Sequence, residues 1–269
     1  MILKYVILHG DAEYALRTIP SNSVHLVVTS PPYIWMRDEI QWDSFDEYYN
    51  KMKRIMKEVV RVVRPGRIVC INVSDYIKDG VRYDLMWHWH KLLKEVGLKY
   101  RDWIIWKKTG ELATVSAGKM VGTFLKHKLP MYYSPDRVME LILVFSKGKP
   151  VIPRYNLRIT SMSKVDVEEA RPFIKNVWEF APRQDPEHPS VFPIELPYRI
   201  IQFYSYAGEV VLDPFSGVGT TGVAAKMLKR SAILCEIEEK YVSRIKKELR
   251  WGEKSLTDDV DYRYKLVRI

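Results

Sequence analysis

Only two cysteines occur in the 269 residues, Cys70 and Cys235, and each lies in an apolar run, RIVCINV and AILCEI. Two cannot build a disulfide framework or a thiolate zinc cluster, and their surroundings are those of buried strand residues. Long hydrophobic stretches are missing as well, since no run approaches the ~18 apolar residues of a membrane-spanning helix. The opening stretch MILKYVILHGDAEYALRTIP has neither a basic n-region nor a small-residue cleavage site, so no secretory signal is expected and the chain reads as cytoplasmic, away from membranes. Glycine (13) and proline (15) are too sparse for collagen or low complexity, and 47% hydrophobic residues are too many for disorder. A folded protein with ample core material remains.

Acidic residues are also in deficit, 33 against 43 basic, for a net charge of +10. The imbalance is local. Between Lys99 and Arg158 there are 12 basic and 4 acidic residues, whereas the rest of the chain is close to balance. A basic excess confined to one segment is the footprint of a surface that meets phosphate. The candidates are Lys107, Lys108, Lys119, Lys126, Lys128, Arg137, Arg154 and Arg158. Trp103, Trp106, Tyr132 and Tyr133 lie among them as possible stacking platforms for bases, although the two tryptophans sit on a predicted strand and read as core.

Hydrophobic periodicity alternates between strand and helix along most of the chain. Strands are expected at KYVILHG, His25–Ser30, RIVCINV, Lys99–Lys108, Met139–Gly148, EVVLDP and SAILCEI. Helices are expected at DAEYALRTIP, Ser44–Val63, Tyr83–Val96, Pro193–Tyr204, GTTGVAAKMLKR and, closing the chain, EEKYVSRIKKELRWG. Ser44 and Glu47 form a capping box, and Pro65-Gly66 is expected to end that helix. This order predicts an α/β fold, a doubly wound and mostly parallel sheet. No Pro- or Ser-rich linker divides it, so residues 1–269 read as a single domain, with 109–175 as a basic insertion carried on the sheet.

Two loops carry the chemistry. Asp213-Pro-Phe215-Ser216-Gly217-Val-Gly219-Thr220-Thr221 joins a strand to a helix, with glycines that let backbone approach a ligand and free N–H groups at the helix start. Glu236 ends the next strand, 19 residues beyond Gly217, where a carboxylate accepts both hydroxyls of a ribose. No lysine precedes Thr220, which excludes a Walker phosphate loop; an adenosine-containing cofactor fits, and NAD and S-adenosyl-L-methionine both remain open on this loop alone. The other loop, Thr29-Ser30-Pro31-Pro32-Tyr33, follows a buried strand and so projects from the carboxyl edge of the sheet, where ligands bind. Its prolines are stiff and present carbonyls outward, and Tyr33 offers a face for a stacked base.

Together the loops resemble the beta-class amino-methyltransferases, of Rossmann-like fold, which methylate exocyclic amines of cytosine or adenine in nucleic acid. Ser30-Pro31-Pro32-Tyr33 precedes the Asp213–Thr221 loop, in that family's permuted order, with Gly10-Asp11-Ala12 ahead of the first and His188-Pro-Ser-Val-Phe-Pro-Ile-Glu195 ahead of the second. The resemblance covers residues 8–100 and 176–245. It implies S-adenosyl-L-methionine as cofactor and no metal. Asp213, Phe215, Ser216, Gly217, Gly219 and Thr220 would line its pocket with Thr29, Glu236 would hold the ribose, Asp11 would meet the adenine amine, and Phe192 and Pro193 would pack near the methionine. Ser30, Pro31, Pro32 and Tyr33 would grip a target base flipped from its stack. Within the family a serine at the first loop position goes mostly with cytosine N4, so the resemblance implies N4-cytosine methylation of DNA. N4-cytidine methylation of ribosomal RNA and N6-adenine methylation of DNA are the alternatives. Residues 109–175 become the target-recognition insertion, and a restriction nuclease is a candidate partner. With no Pro-Cys nucleophile near the active loop, the cytosine-C5 methyltransferases are excluded.

Overall fold

The apolar runs assemble into one nine-stranded sheet in the computed structural model, which describes residues 1–34, 42–78, 81–110, 129–132, 138–185, 191–253 and 260–269. Its strands are β1 (Ile2–His9), β2 (Val24–Thr29), β3 (Val63–Val73), β6 (Lys99–Lys108), β7 (Met139–Ser146), β8 (Val177–Phe180), β9 (Val210–Asp213), β10 (Ser231–Glu236) and β11 (Asp261–Arg268), while β4 (Tyr76–Lys78) and β5 (Val81–Tyr83) pair as a separate hairpin. The order is β11-β1-β10-β9-β2-β3-β7-β6-β8. β7 runs antiparallel to both neighbours and every other pairing in this sheet is parallel. The expected mostly parallel, Rossmann-like sheet is what forms.

A parallel sheet must be covered on both faces, and strand alternation does this here. Along β3, Val69, Ile71 and Val73 enter one core while Ile68 and Cys70 enter the other. The first core is closed by α1 (Ala12–Ala15), α2 (Phe45–Val62) and α3 (Leu85–Glu95). The second is closed by α6 (Glu195–Tyr204), α7 (Thr220–Met227) and α8 (Glu239–Glu248), after two short helices, α4 (Leu157–Met162) and α5 (Val167–Ala170). In α2, Tyr48, Met52, Ile55, Met56, Val59 and Val62 form the buried stripe. Its cap is the expected box shifted by one residue: Ser44 Oγ accepts the Glu47 N–H at 3.1 Å, while Glu47 Oε2 accepts the N–H of Asp43 at 2.8 Å. No helix among the described residues is long and apolar enough to cross a membrane.

Several expectations need correction. Pro65-Gly66 does not punctuate the end of α2 but lies inside β3, where the β2 register jumps from Val24↔Val63 to Leu26↔Ile68 and a missing proline donor interrupts no ladder bond. The stretch 109–175 holds the expected strand, as β7 with neighbours on both sides, and adds two short helices the periodicity does not predict, α4 and α5. β8 and β11 were not expected. β11 follows the helix that was read as closing the chain, and pairs with β1 from Ile2↔Asp261 to His9↔Arg268. Trp106 is buried, its Nε1 donating to the Phe180 carbonyl at 3.0 Å, but Trp103 is 47% exposed. β6 lies next to the outermost strand, where helical cover runs out.

The amino-terminal edge of the sheet is tied by a buried ion pair. Glu209, just before β9, accepts from Arg67 of β3, from Tyr155 Oη at 2.5 Å and from the Tyr206 N–H at 2.9 Å. Removing one member of such a pair strands the other charge in the interior. Glu209→Ala is expected to lower the unfolding free energy by about 3 kcal/mol or more, read from urea denaturation; a loss below about 1 kcal/mol would show that the pair carries little.

Candidate active site

Strand order reverses between β9 and β2. From β2 the chain winds through α2 to β3 on one side, and from β9 through α7 to β10 on the other. A crevice opens at such a switch point, beyond the carboxyl ends of the strands. The two loops singled out in the sequence leave the sheet here, side by side.

They are pinned together by Asp213, which is 1% exposed. Its Oδ1 accepts the Thr29 hydroxyl at 2.6 Å and the Phe215 N–H at 3.0 Å, and its Oδ2 accepts the Thr221 hydroxyl at 2.6 Å. Burial pushes the carboxyl up to about 6, against these three hydrogen bonds, which favour the charged form. Asp213 and Thr29, expected at the cofactor, thus lie beneath the crevice as its brace.

Above them is a cleft of about 1050 Å³, counted to its open mouth. Of the expected cofactor residues, Asp11, Phe192, Phe215, Ser216, Gly217, Thr220 and Glu236 line it, together with Ser30, Pro31, Pro32 and Tyr33 of the other loop. Thr29, Pro193, Asp213 and Gly219 do not. Gly219 has φ +87°, and a Cβ there would stand 3.0 Å from Ile245 Cγ1, so glycine is needed both to turn the chain into α7 and to let α8 pack. Gly217 also has positive φ, 50°. The Ser216 side chain and N–H both donate to the Cys235 carbonyl at 2.9 Å, which fixes the loop over β10. The N–H groups of Gly217 and Val218 meet no acceptor among the described residues, leaving donors at the cleft. Glu236 is held at the cleft by the N–H groups of Ile237 and Glu238, which donate to Oε1 at 3.0 and 2.9 Å.

The charge of the lining is informative. Two carboxylates, Asp11 and Glu236, face one lysine, Lys51, whose Nζ lies 2.6 Å from Asp11 Oδ2. This is a poor cradle for phosphates and a good one for a cationic, hydroxyl-bearing ligand. No cluster of His, Cys, Asp or Glu able to hold a metal ion occurs among the described residues. Tyr33 has its phenol oxygen committed: it accepts the Ser74 N–H at 3.0 Å and lies beside the Ser30 hydroxyl, and burial raises its pKa well above the ordinary phenol range.

The family model for N6/N4 methyltransferases, described as DNA methylase, matches residues 24–247. The chain belongs to this family. The type II methyltransferase M.MjaI of Methanocaldococcus jannaschii is 32% identical over 96% of this chain and 95% of its own. M.HpaI of Haemophilus parainfluenzae is 30% identical, over 95% of this chain and 77% of its own. A Thermus thermophilus protein described as a DNA modification methylase, solved in complex with S-adenosyl-L-methionine, matches with a TM-score of 0.72 at 25% identity, covering 96% of this chain and 99% of that one. The cytosine-N4-specific PvuII DNA methyltransferase shares the fold, with a TM-score of 0.71 at 19% identity over 94% and 90% of the two chains.

Around the methylase cleft, the lysines and arginines expected to follow a nucleic-acid backbone scatter. Lys108 is withdrawn into the protein, 2.7 Å from Glu140 with both side chains largely buried, and Glu140 also accepts from Asn72 Nδ2 at 2.6 Å. Lys107 is exposed but paired with Glu179 at 3.1 Å. Arg154 and Arg158 are exposed on a segment tied to the opposite edge of the sheet, through Val151 N–H to the Gly66 carbonyl and Tyr155 to Glu209. Lys119, Lys126, Lys128 and Arg137 lie outside the described residues, as do Tyr133 and the side chain of Tyr132. Sequence reasoning missed Trp42, Lys51, Met52, Ile55 and Ile237, all at the cleft. The available signal was Lys51 itself, a charge beside the buried positions Tyr48, Met52 and Ile55 of the α2 stripe.

The brace makes a pH prediction. The folded carboxyl of Asp213, at about 6, lies above its unfolded value near 3.8, so the native state prefers the proton. Its stabilising contribution is complete below about pH 4 and is lost as pH rises through 6. Relative to Asp213→Asn, the wild type should lose about 2 kcal/mol of unfolding free energy between pH 4 and 7. Parallel urea titrations of both proteins check this, and coincident profiles would contradict it.

Proposed function

We propose that this DNA methylase uses S-adenosyl-L-methionine to methylate the exocyclic N4 amine of cytosine in DNA. Support for the cofactor comes from the cleft, with two carboxylates, apolar walls, glycines at the bend and free N–H donors, and from the likeness to the Thermus thermophilus protein solved with it. The group supplies a methyl electrophile carried on a sulfonium. Glu236 would accept the ribose hydroxyls, the Gly217 and Val218 backbone would meet the polar tail, and Phe192 would pack on the aliphatic part.

The observation that carries the reading is Ser30. It lines the cleft beside Tyr33, and a hydroxyl oxygen carries two lone pairs that can accept from an amine. An exocyclic amine is a weak nucleophile because its lone pair is delocalised into the ring. Acceptance of one N–H by Ser30 Oγ and the other by the Pro31 carbonyl would favour a tetrahedral nitrogen with its lone pair toward the electrophile. Double proline holds that carbonyl stiffly, and alignment of this kind offsets several kcal/mol of barrier. Tyr33, fixed by Ser74, is the stacking face for the base. A neutral serine, which both gives and accepts, suits cytosine N4, and the basic segment around residues 109–175 is the candidate target-recognition element.

The test uses labelled S-adenosyl-L-methionine with separate pools of genomic DNA and unmodified ribosomal RNA, followed by digestion and mass spectrometry of the nucleosides. Label in N4-methyldeoxycytidine is expected. Label in N6-methyldeoxyadenosine would overturn the choice of base, and label confined to RNA the choice of polymer. Tyr33→Ala should lower the methylation rate by about 10²-fold, through lost stacking and alignment, while cofactor Kd stays within about twofold. Calorimetry on the same variant checks the second half.

A further inference from the structure

Resting on the reading of the cleft as a cofactor site with Asp11 at the adenine amine, we propose that Lys51 reads the adjoining position on that edge of the adenine ring. Lys51 Nζ donates to ring nitrogen N1, and the Asp11 carboxylate accepts from the neighbouring exocyclic amine.

The argument starts from strand order. The glycine loop leaves β9, Glu236 ends β10, and Asp11 follows β1, and these three strands are adjacent. A ligand whose ribose is held at Glu236 and whose tail lies at the glycine loop therefore extends its base toward β1. There the cleft presents Asp11 and, from α2, Lys51. The two polar atoms stand 2.6 Å apart, Lys51 Nζ to Asp11 Oδ2. Adenine places an acceptor, N1, and a donor, the amine, on adjacent ring atoms, so a lysine and a carboxylate in contact match that edge in both signs. Hypoxanthine or guanine presents a donor at N1 beside a carbonyl and meets the pair with both signs reversed.

Hydrogen-bond capacity is sufficient. Lys51 has three donors, of which one is engaged by Asp11 among the described residues. Asp11 uses Oδ1 for the Glu13 N–H at 2.8 Å, as the cap of α1, and Oδ2 for Lys51, which leaves a further lone pair on each oxygen. The cap fixes the carboxylate and the ion pair fixes the ammonium, so the pair is set before a ligand arrives. Ala12, Ile55 and Ile237 supply apolar surface at the same end of the cleft, where a flat ring would lie. Nothing in a purely structural salt bridge requires it to face a cleft with donors to spare.

The experiment is calorimetric binding of S-adenosylhomocysteine and of its 1-deazaadenine analogue, which carries C–H in place of N1, to the wild type, Lys51→Met and Lys51→Arg. The wild type should prefer the natural base by about tenfold, the worth of one hydrogen bond to a charged donor. Lys51→Met should bind both ligands alike, about tenfold below the wild type with the natural base, and Lys51→Arg should restore part of the preference. Equal binding of the two ligands by the wild type overturns the inference and leaves the cofactor reading standing. A Lys51→Met protein that weakens for both ligands yet still discriminates also overturns it, by making Lys51 a strut for Asp11 alone. Failure of the wild type to bind S-adenosylhomocysteine at all overturns the cofactor reading beneath it. Thermal melts of the variants establish that each is folded.

Discussion

One buried carboxylate holds the two loops of the candidate active site together. Asp213 takes a hydroxyl from Thr29 on β2 and another from Thr221 on α7, so strands separated by most of the chain are joined at the point where the sheet changes direction. The Ser-Pro-Pro-Tyr loop starts one residue after Thr29 and the glycine loop one residue after Asp213, and their relative position is set by that bond. Charge-assisted hydrogen bonds to a desolvated carboxylate are short and directional. They come at the cost of burying a group that would rather take a proton, which is why the carboxyl sits near 6. A site that must align two molecules gains more from a fixed spacing between its loops than it loses in overall stability.

From that brace outward each loop is over-determined. Two prolines remove freedom from the first, and the Tyr33 phenol, caught between the Ser74 N–H and the Ser30 hydroxyl, fixes the rest. The second is pinned to β10 through Ser216 and Cys235 and to α8 through the space that only glycine leaves at position 219. Cys235 accordingly serves through its carbonyl, and its thiol is buried and driven upward in pKa, out of reach of chemistry. Little about the cleft needs to be organised after a ligand arrives.

The sequence made the loops legible because their residue types have few other uses. A double proline directly after an apolar strand, or two glycines between a strand and a helix, constrain backbone whatever surrounds them. The direction in which a side chain points was much less legible. Asp213 belongs to the motif yet faces inward, because its strand alternation and two nearby hydroxyls take it below the cleft. Lys51 lay unmarked in a helix, since a lysine on an amphipathic surface is ordinary until the neighbouring strand supplies Asp11. β11 was hidden by its own pattern: as an edge strand with alternating charge it lacks the apolar run that betrays a central one. Trp103 looked like core because only the fold decides where helical cover ends.

Charge shows the same limit. Counted along the chain, Lys99 to Arg158 is strongly basic, but charge acts through position in space. Lys108 is neutralised inside by Glu140 and Lys107 outside by Glu179, and the second of these partners comes from a strand beyond the segment. Arg154 and Arg158 stand at the far edge of the sheet, where the Glu209 brace draws their segment away from the cleft. A phosphate backbone approaching the cleft therefore meets a weaker field from these four residues than the count of basic positions implies. On the proposed reading, grip on the target would depend more on the Ser-Pro-Pro-Tyr loop than on these cations: Tyr33 is held by Ser74 before any nucleic acid arrives, and the work left to binding would be extraction of the base itself.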